Sequence, residues 1–463
     1  MACRRRRAHC ERPLHLLAVH RRGYCRGRRL LDVQGQQACV GNPSGVGGSG
    51  GGSGRTASVT RKVTVSETRK VTVSETQDPA PSPGLLRTPG MIGVLIMAAA
   101  AFGGWSLLLP VVPLLVAQSG GSDALAGSVT GVFMAATVLT QLLVPRLLRT
   151  QGYRRVLAVG CLLLGPPSLV LLISSDAGPV LAVSAVRGIG FGMLTVAGSA
   201  LVAELAPKRI LGRATGAQGI AIAASQMAGL PLGLAIMERW SATPVFVLGA
   251  LIPALALVAI AGLPKIFAQP TGESVRLSVF AVLVPVLALA CVSASFGGLS
   301  SLLPIAISER AAVAGVVLAT ASGSMLVGRY SAGLIADRLG SGRTLAPALA
   351  SSTIGLVLFA INVDGGSTPV LFCAAVLFGL GFGAVQNESL VMAFQAAGPR
   401  QLGSASAIWN IGYDAGTGIG ALALGFVATT AGYAWVFAVS AVVVALLPAL
   451  AAGGKVIGSR VAR

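Results

Sequence analysis

Phe102-Gly103-Gly104-Trp105-Ser106-Leu107-Leu108-Leu109-Pro110 and Phe296-Gly297-Gly298-Leu299-Ser300-Ser301-Leu302-Leu303-Pro304 share the pattern FGGxSxLLP, 194 residues apart. A second pair recurs at a nearby spacing. Gly188, Gly190, Phe191 and Gly192, followed by Arg209, Leu211, Gly212 and Ala214, reappear 191 residues later as Gly379, Gly381, Phe382 and Gly383, followed by Arg400, Leu402, Gly403 and Ala405. Single glycines match by chance in a chain that holds 61 of them. Two long matches at nearly one offset mark an internal repeat.

The repeats lie inside apolar segments. A membrane helix needs about 20 mostly apolar residues. From Met91 onward twelve such stretches follow: 91–117, 124–145, 155–174, 179–205, 214–236, 242–264, 277–305, 311–335, 344–362, 368–395, 404–427 and 432–452. Each repeated motif recurs six segments later. Six is even, so both halves enter the bilayer in the same orientation. The sequence therefore predicts an all-α integral membrane protein of two six-helix bundles related by a parallel repeat. Substrate sites in such repeats lie between the halves near the midplane. The expected organisation is a basic, low-complexity extension at 1–90, a first bundle at 91–264 and a central loop at 265–276. A second bundle at 277–452 and a tail at 453–463 complete it.

Composition agrees. The chain is 54% hydrophobic and only 11% charged, against about 25% charged for a soluble domain. The net charge of +20 first suggests nucleic acid. Its placement argues otherwise. Residues 1–90 hold 16 Lys and Arg against 5 Asp and Glu, and the remaining chain holds 19 against 10. Of those 19, sixteen fall on one side of the predicted spans: Arg146, Arg149, Arg154, Arg155, Lys208, Arg209, Arg213, Lys265, Arg276, Arg329, Arg338, Arg343, Arg400, Lys455, Arg460 and Arg463. Only Arg239 and Arg310 fall on the other, and Arg187 lies within a span. Basic loops stay cytoplasmic, so a multi-pass protein of the cell membrane with both termini cytoplasmic is expected.

The first ninety residues carry no apolar period. They contain an Arg-rich stretch, a Gly/Ser linker at 44–54 and the tandem octapeptide RKVTVSET at 61–68 and 69–76. Two readings stay open: a disordered basic arm, or a true start further downstream. Seven cysteines show no CxxC pair and no zinc spacing with His9, His15 or His20. Neither a metal site nor a cofactor is expected. A nucleotide-binding GxxxxGKS or GxxxxGKT loop is missing, as is any His/Asp/Glu cluster in the spans. An ATP-driven pump and a membrane enzyme are thereby disfavoured.

Twelve spans in two six-helix repeats resemble the major facilitator superfamily. The loop after the eighth segment, Gly328-Arg329-Tyr330-Ser331-Ala332-Gly333-Leu334-Ile335-Ala336-Asp337-Arg338-Leu339-Gly340-Ser341-Gly342-Arg343, is similar to that family's loop signature GxxxDRxGRR. Gly333, Asp337, Arg338, Gly340 and Arg343 match it. The resemblance implies a conformational latch there. The first-half counterpart departs from the signature, with Pro145-Arg146 where Asp-Arg is expected. Arg187-Gly188-Ile189-Gly190-Phe191-Gly192 resembles the family's intramembrane Arg motif, linked there with proton coupling. Gly229-Leu230-Pro231-Leu232-Gly233 is similar to the GPxxGG signature of drug/proton antiporters.

Ionisable groups inside spans cost about 2.5–3.5 kcal/mol each and are functional candidates. Arg187 lies roughly 12 Å into the fourth segment and Asp414 roughly 15 Å into the eleventh. Asn410 shares a face with Asp414. Gln386, Asn387 and Glu388 follow one another in the tenth segment. The expected mechanism has Asp414 or Glu388 taking and releasing a proton, with Arg187 binding an anion or acting on the carboxyl group. Static interhelical pairing is the competing role for each. Gly188, Gly190 and Gly192 are expected to set close helix packing, and Pro110, Pro304 and Pro231 to loosen their helices. Trp105 and Trp409 are candidates for a cavity wall or for packing.

The function expected is proton-coupled efflux of a small organic solute by a monomer in the lipid bilayer, with no nucleic acid partner. Proton-coupled uptake of a small anionic nutrient and a non-transporting, transporter-like sensor stand as alternatives.

Overall fold

The computed structural model describes residues 85–207, 211–268, 279–397 and 402–446. The N-terminal extension up to residue 84, Lys208, Arg209, Arg276, Arg400 and the C-terminal tail lie outside the described residues, as do the side chains of Arg213 and Asp337. The described residues are helical, without strands. The helices are α1 (Met91–Leu108), α2 (Val111–Gln118), α3 (Asp123–Leu164), α4 (Ala177–Leu205), α5 (Leu211–Arg239) and α6 (Ala242–Ala261). They continue as α7 (Val279–Ala306), α8 (Ala311–Leu339), α9 (Leu345–Ala360), α10 (Thr368–Ala397), α11 (Leu402–Ala431) and α12 (Tyr433–Leu446).

The helices correspond to the twelve apolar segments once two features are read physically. The first span is α1 plus α2. Pro110 has no N–H to give the helix, so α1 stops at Leu108 and α2 restarts at Val111. Its repeat partner Pro304 acts differently: α7 runs through it and ends two residues later, at Ala306. The apolar stretch Asp123–Leu172 is 50 residues long. That is about 75 Å as one helix, more than twice a bilayer core. It is two spans, divided at Gly152, whose φ of 75° and ψ of 164° no helix contains. Tyr153 N–H then donates to the Ile266 carbonyl at 3.0 Å, and the Arg154 guanidinium donates to Ala261 O at 2.8 Å. The corner is thus tied to the end of α6. The third segment stops being α-helical at Leu164, ten residues earlier than expected. Gly165, Pro166 and Pro167 follow, and the chain continues as a 3-10 turn over Pro166–Leu172. Proline opens a helix well but continues one badly.

Apolar side chains cover the outside. Leu139, Leu142, Leu143, Leu255, Val258, Phe426 and Val442 are all exposed on single helices, as a lipid solvent allows. With lipid outside, burying apolar area contributes little between helices, and close packing of small residues takes over. The repeat glycines show this at matched contacts. Gly188 faces the Phe133 carbonyl of α3, and Gly379 faces the Ala321 carbonyl of α8. Gly192 faces Thr137 O, and Gly383 faces Met325 O. Gly190 meets Gly160 O in the third span, and Gly381 meets Ala348 O in α9. The partners in each of these pairs are 188 residues apart. A β-carbon at Gly192 would sit 2.6 Å from Thr137 O, and one at Gly190 2.6 Å from Gly160 O, both inside van der Waals contact. The repeat is therefore a repeat of backbone-to-backbone contacts.

Candidate functional site

The two bundles meet along two seams, α3 against α11 and α5 against α8. Small residues line both. Gly127 faces Ala421 O, and a β-carbon at Gly131 would lie 3.1 Å from Leu422 Cβ. From the other helix, Gly418 approaches Met134 and Gly425 approaches Asp123 O, each at 2.6 Å for an added β-carbon. On the second seam Gly315 meets Pro231 Cα at 2.8 Å by the same measure. Gly127 and Gly315 are themselves 188 residues apart, so the same repeat position makes the cross-bundle contact on each side.

Hydrogen bonds join the bundles at several depths. Tyr433 OH donates to Asp123 Oδ1 at 2.8 Å, Ala124 N–H to Thr429 Oγ1 at 3.0 Å, and Ala312 N–H to Glu238 Oε2 at 2.5 Å. Thr130 Oγ1 and Ser301 Oγ lie 2.9 Å apart. Deepest is Gln141 Nε2 to Asp414 Oδ2, at 2.6 Å. Among the described residues all of these run from the face opposite the basic loops to the middle of the bundle. The structure is thus a state closed on that face.

Asp414 is 5% exposed. Gln141, its partner, also donates to Thr195 Oγ1 at 3.2 Å, while its own Oε1 is buried with no hydrogen-bond partner. Aromatic rings wall the same helix. Tyr413 stacks on Phe382 with centroids 5.9 Å apart, and Trp409 stacks on Tyr413 at 6.1 Å. The Trp409 indole N–H donates to Ser389 Oγ at 2.9 Å, a packing bond. Asn410 bonds to its own helix, at Ser406 O, 2.9 Å.

Arg187 is equally buried, at 5%, but stands apart from Asp414. Its Nε donates to Leu164 O at 3.0 Å and one terminal nitrogen to Gly104 O at 3.4 Å. The Phe133 ring centroid lies 5.8 Å from its guanidinium carbon. The α-helix ends at Leu164, Pro167 has no N–H to give, and the Ser168 N–H goes to Gly165 O at 3.0 Å, which leaves the Leu164 carbonyl on offer. Among the described residues no carboxylate comes within ion-pair distance of Arg187, and the expected partnership with Asp414 is not a direct contact.

The three polar residues of α10 separate. Gln386 accepts from Arg329 at 3.4 Å and donates to Met325 Sδ at 3.1 Å, both on α8. The Asn387 amide nitrogen is buried without a partner, near Gly333. Glu388 is fully buried and accepts from Gly342 N–H and Thr344 Oγ1, so it anchors the loop that carries the signature residues. Gly340 and Gly342, with φ of 87° and 88°, turn that loop where a side chain would strain it. Arg338 and Arg343 are exposed. Replacing Glu388 with Ala strands two donors, at about 1–3 kcal/mol each. Amide exchange at Gly342 should then accelerate at least about fivefold, as mass spectrometry of the 340–344 peptide would report. Unchanged protection would mean the carboxyl group does not hold the loop.

Gln141, Thr130 and Ser301 are not among the residues the sequence singles out, because amides stand out there only beside an ionisable group of the same span, as Asn410, Gln386 and Asn387 do. An amide in the apolar run 124–145 was the available signal for Gln141.

The sequence model of the Major Facilitator Superfamily matches residues 94–407 and 285–454. Two uncharacterized MFS-type transporters of Mycobacterium tuberculosis, from strains H37Rv and CDC 1551, are each 28% identical over 222 residues. The alignment takes in 46% of this chain but only 30% of each relative, so this chain matches less than a third of their length. Crystal structures of the nucleoside transporter NupG, one of them a mutant, superpose with TM-scores of 0.65 and 0.63 at 13% identity. They cover 77% of this chain and 98% and 97% of theirs. At that identity the likeness is one of fold.

Proposed function

The chain belongs to the major facilitator superfamily, and from that premise we propose that it exports a small organic solute in exchange for protons, with Asp414 as the proton-carrying group. It is a multi-pass membrane transporter of the secondary type, which works by exposing a site between its bundles to each side in turn. The single observation that carries the coupling is the 2.6 Å bond from Gln141 to Asp414. That bond joins α3 of one bundle to α11 of the other. Whatever changes the charge on Asp414 therefore acts on the seam that must open and close. A lone static carboxyl group within one bundle would have no such leverage.

The likeness of Gly229-Leu230-Pro231-Leu232-Gly233 to the drug/proton antiporter signature supports export, and Pro231 of that stretch lies against Gly315 at the second seam. Arg187, which has no carboxylate partner among the described residues, favours the second reading, uptake of a small anionic nutrient. We infer cytoplasmic termini in the cell membrane from the Lys/Arg bias of the loops, a bundle boundary near 265–276, and a working monomer.

The test uses purified full chain in proteoliposomes and a solute panel chosen from compounds to which a deletion strain is sensitive. For vesicles carrying the chain inverted, an interior-acid gradient should drive accumulation of an exported solute. Accumulation of organic anions under the opposite gradient would select uptake. No gradient-dependent movement of any panel member would leave the sensor reading.

A further inference from the structure

Arg187 lines a small cavity whose few polar groups are mostly donors. Its guanidinium has five N–H groups, and the carbonyls of Leu164 and Gly104 take two of them. A cavity of about 20 Å³ lies against it, lined by Trp105, Thr130, Phe133 and Ser184 among others. Trp105 is 3% exposed, and its indole N–H has no hydrogen-bond partner. The hydroxyls of Thr130 and Ser301 face each other at 2.9 Å. One hydrogen serves both, which leaves the second free to turn toward the cavity. Ser184 has given its hydrogen to Val180 O at 2.8 Å. The polar groups that remain are a cation and neutral donors, with no carboxylate among the described residues.

Charge and size together choose the ligand. A buried cation is costly unless it is paired, and two carbonyl dipoles meet that need in part. Water brings two lone pairs and no charge. An anion brings the charge the guanidinium lacks and accepts from several donors, in surroundings of Phe102, Trp105, Phe133 and Phe191 rings that strengthen its attraction to the guanidinium. The volume of about 20 Å³ exceeds the roughly 10–15 Å³ that one water needs, so it takes a single atom somewhat larger than water. The carboxylate of an organic solute does not fit in this state. A chloride ion is larger than a water molecule, but as a single sphere it is far more compact than a carboxylate.

We propose that Arg187, Trp105 and the Thr130–Ser301 hydroxyl pair bind a single halide ion, chloride in physiological media, and that its occupancy favours the state closed on the face opposite the basic loops. The second part follows from Ser301. It belongs to α7 of the second bundle, whereas Arg187, Trp105 and Thr130 belong to the first. The chamber is therefore complete only while the bundles meet there. The inference goes beyond solute export and holds whichever way the solute moves.

The experiment uses the full chain in detergent micelles, with sodium gluconate exchanged for sodium chloride at constant ionic strength. Melting temperature and tryptophan emission are the readouts. Chloride should raise the melting temperature and change emission with one saturable curve, and bromide should substitute for it. Arg187→Gln and Trp105→Phe should each weaken the apparent affinity at least tenfold. If Arg187→Gln fails to fold, Trp105→Phe carries the test, because it keeps the cation and removes the indole donor. Identical behaviour in gluconate and chloride would overturn the proposal in favour of a water. So would a chloride response that both variants leave unchanged. Proton-driven flux measured in gluconate is a separate readout, so failure of the halide site and failure of proton coupling are distinguishable.

Discussion

With Asn in place of Asp414, solute flux into proteoliposomes should lose its response to a pH gradient, and gradient-driven transport should fall by roughly 10- to 150-fold. The size follows from the part of the Gln141–Asp414 bond that proton binding and release make and break, which Asn holds permanently made. Hydrogen bonds to charged groups contribute about 1.5–3 kcal/mol. In the structure Gln141 Nε2 gives its hydrogen to Asp414 Oδ2, while Gln141 Oε1 is buried and unmet. An ionised carboxyl group can only accept, so it leaves that oxygen stranded. A protonated one can donate to it. Proton binding thus completes the pair between α3 and α11, and proton loss leaves it half made. Asn carries a permanent donor and cannot exchange it. It resembles the protonated acid, so the variant should stay closed at this seam and still bind solute from the basic-loop face. Asp414→Glu should keep gradient dependence with a reduced rate, since the titrating group survives on a longer arm. Gradient dependence that persists at the wild-type ratio in the Asn variant would remove Asp414 from the coupling.

The architecture was legible in the sequence because lipid imposes few solutions. An apolar run of given length must be a helix, and glycines that bring two backbones together cannot be exchanged for other residues without a clash. Gly188 with Gly379, and Gly192 with Gly383, therefore survive as a readable repeat although most of the surrounding text differs. The 3-10 turn at Pro166–Leu172 was less legible, because its composition is as apolar as a helix and only the two prolines betray it. The site was half legible. Arg187 and Asp414 stand out as ions in apolar text. Their partners do not, because which residue faces which depends on helix rotation and on contacts 273 residues apart in the case of Gln141. Gln386, Asn387 and Glu388 make the same point. Adjacent in sequence, they read as one cluster. Successive residues on a helix point about 100° apart, so Gln386 reaches α8 while Glu388 reaches the loop after it.

That difference between contacts within a bundle and contacts between bundles gives the second large effect. Gly383→Ala and Gly127→Ala add the same methyl group against a backbone carbonyl, Met325 O in one case and Ala421 O in the other. Overpacking of this kind costs about 1–3 kcal/mol. The α8–α10 contact at Gly383 lies inside one bundle, so it persists whichever face is open. Its cost falls on the folded protein as a whole and should lower the melting temperature without changing how the bundles are disposed. The α3–α11 contact at Gly127 exists only while the bundles meet on this face. Its cost falls on the closed state alone, and 1–3 kcal/mol there shifts the balance between states about 5- to 150-fold. Spin labels at exposed Ser119 and Thr430, one in each bundle and both near that face, should report longer distances in Gly127→Ala and unchanged distances in Gly383→Ala. Gly315→Ala, the repeat counterpart against Pro231, should act in the same direction as Gly127→Ala. If Gly127→Ala lowers the melting temperature as Gly383→Ala does and leaves the label distances alone, the seam is static packing. The glycines at 127 and 315 would then have no part in alternating access.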